Sequence, residues 1–313
     1  MRAIAEKEGF NDWISFQLLR TYANRVAYNG SNADRVILQH FLLIHWGFDI
    51  RLARTKLQFA LLVPFSQKVY SQPYISVNGI DYYVYFNESE GITEHTPQIY
   101  TCTLPKEVEY GKKINLRISQ NIGAYSDKFV KCTLTDGVIT INGEVSMRLM
   151  DMLKHYPQMD IAEYAMSNIH SELRNSVINQ LKQQIEGRSA VEAVELLLHF
   201  VQYAFDYATD GEQHGYEKPY FFEENFYYPK NDCEDRAIFF AYLIRNTLGI
   251  DVHLIEYPGH ECTAICFPFG FKTGTNYRYQ DKWYTICDPT YIGAKIGMCM
   301  PSFENESPKL EIW

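Results

Sequence analysis

Residues 231–249 read N-D-C-E-D-R-A-I-F-F-A-Y-L-I-R-N-T-L-G and carry the clearest structural signal in the chain. This pattern predicts a helix that Asn231 or Asp232 caps and that Gly249 ends. Cys233 therefore stands at the first helical position, where free N–H groups and the partial positive charge of the helix end favour a thiolate. Two acids in the same first turn oppose that effect, so a low thiol pKa requires an imidazolium partner.

Working outward from this helix, two downstream residues are candidate partners of the thiol. The segment Val252–Tyr257 is typical of a strand, and a Pro-Gly turn follows it just before His260. Asp288 follows a later strand, Trp283–Cys287, and a proline comes directly after it. A carboxylate that accepts a hydrogen bond from one imidazole nitrogen fixes the tautomer and stabilises the charged ring. The order of these residues along the chain therefore suits a thiol, a base and a residue that orients the base.

This order of Cys, helix, strand, His, strand and Asp resembles the catalytic core of the transglutaminase-like cysteine protease superfamily. Three motifs carry the resemblance: D-C-E-D-R-A at 232–237, Y-P-G-H at 257–260 and D-P-T at 288–290. The match covers roughly residues 190–300. The sequence around the three motifs is also similar to that of transglutaminase-like proteins of Bacteroides-type bacteria. The resemblance implies an α+β fold with a papain-like or transglutaminase-like core, in which an antiparallel sheet packs on the Cys-bearing helix.

The resemblance also implies the role of each site residue. Cys233 is the expected nucleophile, His260 the general base and acid, and Asp288 the residue that orients the imidazole. The superfamily uses a side-chain donor from an upstream helix at the oxyanion, and Gln202 in F-V-Q-Y is the candidate, beside the backbone N–H of Cys233.

The implied reaction is attack of the thiolate on an amide carbonyl, with a thioester intermediate and loss of ammonia or an amine. Water then completes hydrolysis, or a second amine completes acyl transfer. Peptidase or amidase chemistry is favoured, because bacterial members of the superfamily are more often hydrolases. The expected substrates are peptide or protein amides, including cell-wall peptides. The alternative is a catalytically inactive binding or scaffold protein of the same fold.

A second feature of the sequence is an internal similarity between its two ends. The run S-N-A-D-R-V-I-L-Q-H from Ser31 resembles D-C-E-D-R-A-I-F-F-A from Asp232. The alignment puts Asn32 at the position of Cys233, Lys56 or Gln58 near that of His260, and Asn87 at that of Asp288. We therefore expect three parts: a degenerate transglutaminase-like module at 1–92, a small β module at 93–145, and a helical lead-in with the catalytic core at 146–313.

Apolar periodicity and turn residues predict the elements of these parts. Helices are expected at 11–27, 32–46, Met147–His155, Ile161–Glu186, Ala190–Tyr207 and 233–247. In the β module, strands are expected at Ile99–Leu104, Ile114–Ser119, Phe129–Leu134 and Val138–Asn142, with a hairpin turn at T-D-G, 135–137.

Charge and hydropathy exclude several classes of partner. The net charge of the 313-residue chain is −9 and no basic run is present, so a nucleic-acid partner is not expected. No stretch of about 18 apolar residues is present, so no membrane-spanning helix is expected. The first residues lack the apolar run of a signal peptide, which leaves the compartment open between the cytoplasm and export of a longer chain.

No metal or cofactor is predicted. The seven cysteines show no C-x-x-C pair and suggest no disulfide framework. A zinc site from His253, His260, Cys262 and Cys266 is disfavoured because the spacing matches no zinc module. His253 is also a competing base, but within its strand we expect it to pack or to meet solvent. The acids at 222–235 lack the D-x-D-x-D-G pattern of a calcium loop, so the pattern favours a solvated acidic surface.

Overall fold

The computed structural model describes residues 1–87, 98–101, 111–123, 128–303, 306 and 308–311. Contacts between residues divide the chain into two compact units, Met1–Ile118 and Ser119–Trp313. Both units combine helices with antiparallel strands, so the predicted α+β class is confirmed.

The helices are α1 (Arg2–Lys7), α2 (Asp12–Val26), α3 (Asn32–Trp46), α4 (Met147–Leu153), α5 (Ile161–Met166), α6 (Ser171–Gln184), α7 (Ala190–Tyr203), α8 (Asp210–Gln213) and α9 (Cys233–Leu248). The strands are β1 (Arg51–Arg54), β2 (Phe59–Pro64), β3 (Tyr74–Val77), β4 (Ile80–Tyr85), β5 (Tyr100–Thr101), β6 (Phe129–Thr135), β7 (Thr140–Ser146), β8 (Asp206–Tyr207), β9 (Lys230–Asn231), β10 (Asp251–Tyr257), β11 (His260–Cys266), β12 (Asn276–Tyr279), β13 (Lys282–Cys287) and β14 (Lys309–Glu311).

The first unit is built on an antiparallel sheet of order β3-β4-β2-β1-β5, with α3 packed on β1 and β2 and α2 packed on α3. Helix α3 begins with a capping box, in which the Ser31 hydroxyl accepts from the backbone N–H of Asp34 and the Asp34 carboxylate accepts from that of Ser31. It ends at Gly47, whose φ of 106° suits glycine. These local signals confirm the helix predicted at 32–46.

The second unit has an antiparallel sheet of order β12-β13-β11-β10-β14. Helix α9 packs on β10 and β11, and α7 packs on α9. The predicted antiparallel sheet against the Cys-bearing helix is therefore present. The apolar face of α9 is fully buried, and Gly249, with a φ of 66°, ends the helix.

The two sheets have the same strand order when β1 to β5 are matched with β10 to β14. The register also corresponds, because Arg51 pairs with Leu62 in the first sheet and His253 pairs with Ala264 in the second. Extending this match along the strands places Gln58 at the position of His260. It places Tyr85 at Cys287, so Asn87 falls one residue beyond the position of Asp288.

Two predicted helices have different bounds in the structure. The expected helix Ile161–Glu186 is wrong as one element, because the chain breaks between α5 and α6. At this break the Ser167 hydroxyl donates to the Tyr164 carbonyl, and His170 Nδ1 accepts from the Leu173 N–H to start α6. The helix expected to reach Tyr207 ends at Tyr203, and Tyr207 lies in β8 instead.

Residues 93–145 are not set apart as a unit of their own. Strand β5 joins the sheet of the first unit, whereas the β6–β7 hairpin belongs to the second unit, with its turn at the predicted T-D-G. Residues 102–104 of a predicted strand lie outside the described residues. No helix in the described part of the chain is long and apolar enough to cross a bilayer.

Candidate active site

The N-terminus of α9 holds the thiol of Cys233. Asp232 has extended backbone angles and caps the helix, and its carboxylate and that of Asp235 form a reciprocal capping box. Cys233 is therefore the first helical residue, as the sequence predicts. Its thiol is half-buried and donates to Glu234 Oε2 at 3.2 Å.

The imidazole of His260 is held by a carboxylate in the core. His260 Nε2 lies 2.8 Å from Asp288 Oδ2, and both side chains are buried. The other oxygen of Asp288 accepts from the backbone N–H groups of Thr290 and Tyr291 at 2.9 and 3.0 Å. Three donors thus fix the orientation of the carboxylate. Because Nε2 bonds Asp288, Nδ1 is the imidazole nitrogen that remains to accept a proton from a thiol.

A tight turn places His260 at the start of β11. In the β10–β11 hairpin Tyr257 pairs with His260 across Pro258 and Gly259, and Gly259 adopts a φ of 73° that the second turn position requires. The backbone N–H of Glu261, one residue after His260, lies near enough to the Cys233 sulfur to lower the pKa of the thiol slightly against the effects of burial and Glu234. The structure therefore brings His260 and Asp288 into direct contact and places the backbone of Glu261, at the same end of β11, near Cys233. Among the described residues, no hydrogen bond joins the Cys233 sulfur to His260, since the thiol bonds Glu234 instead.

Burial dominates the electrostatics of the thiol. The pKa of Cys233 is raised well above its usual value, first by burial and then by the negative charge of Glu234, with a smaller opposing contribution from the Glu261 N–H. The positive end of α9 does not outweigh these effects. With its pKa raised, the sulfur is a protonated thiol near neutral pH in this structure.

Gln202 has a different role from the predicted one. Its amide nitrogen donates to the carbonyls of Asp288, Tyr291 and Ala294, each at 3.0 Å, and its oxygen accepts from the Gly293 N–H at 3.2 Å. Because the buried amide is engaged by the 288–294 segment, it is not placed to donate to an oxyanion beside Cys233. The helix assignment was right, but burial and contacts to a distant segment decide where the side chain points.

Two aromatic residues at the site were missed by sequence reasoning. Phe303 stacks on the His260 ring with centroids 5.3 Å apart and planes 2° apart, and it also stacks on Tyr257. The half-exposed Tyr207 lies near the start of α9, where burial and then the nearby Cys233, Asp232 and Glu234 raise its pKa to about 12, and the guanidinium of Arg236 lies 5.6 Å from its ring centroid. No local motif marks either residue, since each reaches the site through tertiary contacts.

Cys262 also lies close to the His–Asp pair. A ligand atom of each of His260, Cys262 and Asp288 lies within 4.8 Å of the others. Both oxygens of Asp288 are already engaged, and burial raises the pKa of Cys262 well above its usual value. The geometry therefore favours a hydrogen-bonded His260–Asp288 pair beside a buried structural thiol over a zinc site.

His253, the competing base, packs in the core as predicted. Its ring stacks on Tyr284 with centroids 4.1 Å apart, and Nδ1 lies 2.7 Å from the Tyr277 hydroxyl. Burial lowers the pKa of His253, so the ring is neutral near neutral pH.

The acids between 222 and 235 do not form a solvated surface, so that prediction is wrong. Glu223 and Glu224 are fully buried, in ion pairs with Arg174 and Lys218. Asp232 is also buried, and burial with the charge of Glu234 raises its pKa to about 8. A sequence shows the charges of this stretch but not the aromatic residues that cover them.

No family model and no curated protein matches this chain.

Proposed function

We propose that the chain is a thiol-dependent amide hydrolase, with peptide or protein amides as substrates. Cys233 is the nucleophile, His260 is the general base and acid, and Asp288 orients the imidazole. The observation that carries the proposal is the 2.8 Å contact between His260 Nε2 and Asp288 Oδ2. This contact lies at the end of β11 where the backbone N–H of Glu261 lies near the Cys233 sulfur.

The reaction follows from the protonation state of the thiol. Cys233 transfers its proton to His260 as the sulfur attacks the amide carbonyl, and Asp288 stabilises the imidazolium that forms. The backbone N–H of Cys233, the first residue of α9, has no acceptor within the helix and is the proposed donor to the developing oxyanion. His260 then protonates the leaving amine, and water attacks the thioester. A second amine at this step would give acyl transfer instead.

The alternative is a protein that keeps this fold and binds without catalysis. The raised pKa of the Cys233 thiol favours this alternative, because burial and then the flanking acids Glu234 and Asp232 oppose thiolate formation. The same geometry would then serve to bind an extended peptide.

We further propose that the first unit is a degenerate copy of the second. Asn32, which matches Cys233, donates to Gln58 at 3.3 Å and accepts from Asn87 at 2.9 Å. Arg20 on α2 donates to the Phe86 carbonyl, as Gln202 on α7 donates to that of Asp288. A network of amides thus stands where the second unit has a thiol and an imidazole, so the copy lacks a nucleophile.

Trapping of the thioester tests the enzymatic proposal. The chain is incubated with a peptide library and hydroxylamine, and released amines and peptidyl hydroxamates are measured by mass spectrometry. Cys233→Ala should abolish both products, and His260→Ala should lower them about a hundredfold or more. Cys266→Ala, which removes another half-buried thiol, should have no effect.

Products that persist in Cys233→Ala would refute the assignment of the nucleophile. If no product forms with the unaltered chain while a member of the library binds, the non-catalytic alternative is supported.

A further inference from the structure

Five carboxyl groups surround the first turn of α9. Ligand oxygens of Asp210, Asp232 and Asp235 lie within 4.8 Å of one another, and those of Asp210, Glu217 and Glu234 form a second such trio. The first trio is buried, with 3%, 6% and 1% of each residue exposed, whereas Glu217 is exposed and Glu234 is half-buried. The cluster therefore has an interior side and a side that faces solvent.

The hydrogen bonds to the buried trio come from backbone N–H groups. Tyr220 donates to Asp235 Oδ1 at 2.7 Å, Asp210 donates to Asp232 Oδ2 at 3.2 Å, and Lys218 donates to Asp210 Oδ2. These donors fix the directions of the carboxylates, but they carry no full positive charge.

One oxygen of the trio has no donor. Asp232 Oδ1 is inaccessible to solvent and has no hydrogen-bond partner in the described part of the chain, although Asp232 is more than nine-tenths buried. A buried carboxylate oxygen without a partner is costly, and native structures seldom leave one. This orphaned oxygen belongs to the buried trio, which shares Asp210 with the second trio, so it points to a bound positive group.

The nearest basic side chains are committed to other partners. Lys218 Nζ pairs with Glu224. Arg236 donates to Asn231 Oδ1 and to the Phe205 carbonyl, each at 2.9 Å. The N-terminus of α9 supplies about half a positive charge, which is small against several carboxylates. The positive charges of Lys218 and Arg236 thus act on the cluster from nearby, but the hydrogen bonds of these two side chains go to other groups.

We propose that Asp210, Asp232 and Asp235 hold a hard divalent cation of the Ca²⁺ or Mg²⁺ class, with Glu217 and Glu234 on its solvent side. Carboxylate oxygens without nitrogen or sulfur ligands suit these ions rather than zinc or copper. The ion supplies the missing partner of Asp232 Oδ1 and joins α8 to the start of α9. Binding of the ion does not depend on the proposed amidase activity.

Terbium luminescence tests the site on the whole chain after treatment with a chelator. Tyr220 lies beside the trio and serves to sensitise Tb³⁺ emission. Emission should rise on addition of Tb³⁺, and Ca²⁺ and Mg²⁺, titrated separately, should displace it, with the stronger competitor identifying the ion. The same cations should raise the thermal midpoint by several degrees at saturation.

Variants of the chain assign the binding to these residues. Asp232→Asn should weaken binding at least about tenfold, since it removes one charged ligand. Asp210→Asn is a second variant on another element, in case the first fails to fold. Glu172→Gln, which removes an exposed acid on α6, should bind like the unaltered chain.

Absence of emission and of any thermal shift up to about 10 mM Ca²⁺ or Mg²⁺ would overturn the proposal, since weak protein sites saturate near that range. Equal binding by Asp232→Asn, Asp210→Asn and Glu172→Gln would also overturn it, because the ion would then lie elsewhere.

Discussion

The side-chain amide of Gln202 donates to the main-chain oxygen of Asp288 at 3.0 Å, across 86 residues of sequence. The same amide bonds two further carbonyls of the 288–294 segment and accepts from Gly293. Helix α7 therefore fixes the segment that carries the carboxylate, and the carboxylate in turn fixes the imidazole of His260. Gln202 is a positioning residue, which acts on the site through Asp288.

Removal of this amide should destabilise the second unit. Gln202→Ala leaves buried carbonyls and one N–H without partners, which costs about 1–3 kcal/mol of unfolding free energy. Urea denaturation followed by circular dichroism measures this loss. Asn246→Ala removes an exposed amide on α9 that bonds only its own helix, and it should change stability little. Equal stability of Gln202→Ala and the unaltered chain would contradict the proposed positioning role.

The stacked ring of Phe303 should matter to the reaction. Phe303→Ala removes the face on which His260 rests, so we expect hydroxamate formation to slow by roughly tenfold, as the imidazole loses its fixed orientation. The matched variant is Phe269→Ala, because Phe269 is fully exposed and should leave the rate unchanged. A Phe303→Ala rate equal to that of Phe269→Ala would show that the stack does not position the ring.

The buried ion pair of Arg174 and Glu223 should be sensitive to the loss of one partner. Arg174 Nε lies 2.6 Å from Glu223 Oε1, and both side chains are almost wholly buried. Glu223→Gln leaves the buried guanidinium of Arg174 without a counter-charge, so we expect a loss of about 3–5 kcal/mol of unfolding free energy.

Two comparisons test the cause of that loss. The double variant Arg174→Met with Glu223→Leu should recover most of the stability, because it removes both charges of this buried pair. Arg278→Ala breaks the exposed pair with Asp281 and should have almost no effect. A double variant as unstable as Glu223→Gln would mean that lost packing is the cause, and not the buried charge.

The buried His253 should make the second unit sensitive to mild acid. Burial lowers its pKa in the fold, with Arg245 and Lys282 in the same direction and Asp251 opposing. Below about pH 6.5, His253 binds a proton in the unfolded chain but stays neutral in the folded chain. The free energy of unfolding therefore falls as the pH falls through that value. Unfolding measured across this range should show a smaller loss for His253→Phe than for the unaltered chain. His45→Gln, at an exposed histidine, should keep the full loss, and equal slopes for all three proteins would exclude His253 as the cause.

The proposed duplication predicts where a nucleophile can be restored. In a Cys233→Ser background, Asn32→Cys should react with iodoacetamide at the rate of an ordinary thiol. Addition of Gln58→His should raise that rate about tenfold, because an imidazole at the position of His260 assists ionisation of the new thiol. Lys56→His is the matched control, since Lys56 is exposed and lies two residues away. The same acceleration by Lys56→His and Gln58→His would contradict the correspondence of the two units.

Local signals in the sequence were enough for the elements that carry the site. The start of α9 at Cys233, the turn before His260 and the end of α3 at Gly47 were predictable because capping groups, proline and glycine act within a few residues of chain. The single helix expected at 161–186 failed for the same kind of reason, since the break at Ser167 depends on short side-chain bonds that apolar periodicity does not reveal.

Sequence patterns alone were enough to predict the α+β class and the helix that presents Cys233. They also gave the pairing of His260 with Asp288 as an expectation that coordinates could test. Only the tertiary structure decided that Gln202 bonds the Asp288 segment, that Phe303 supports His260, and that the acids beside Cys233 are buried rather than solvated. These features depend on contacts between elements far apart in the chain, and burial changes the energy of a charge in a way that its place in the sequence does not record.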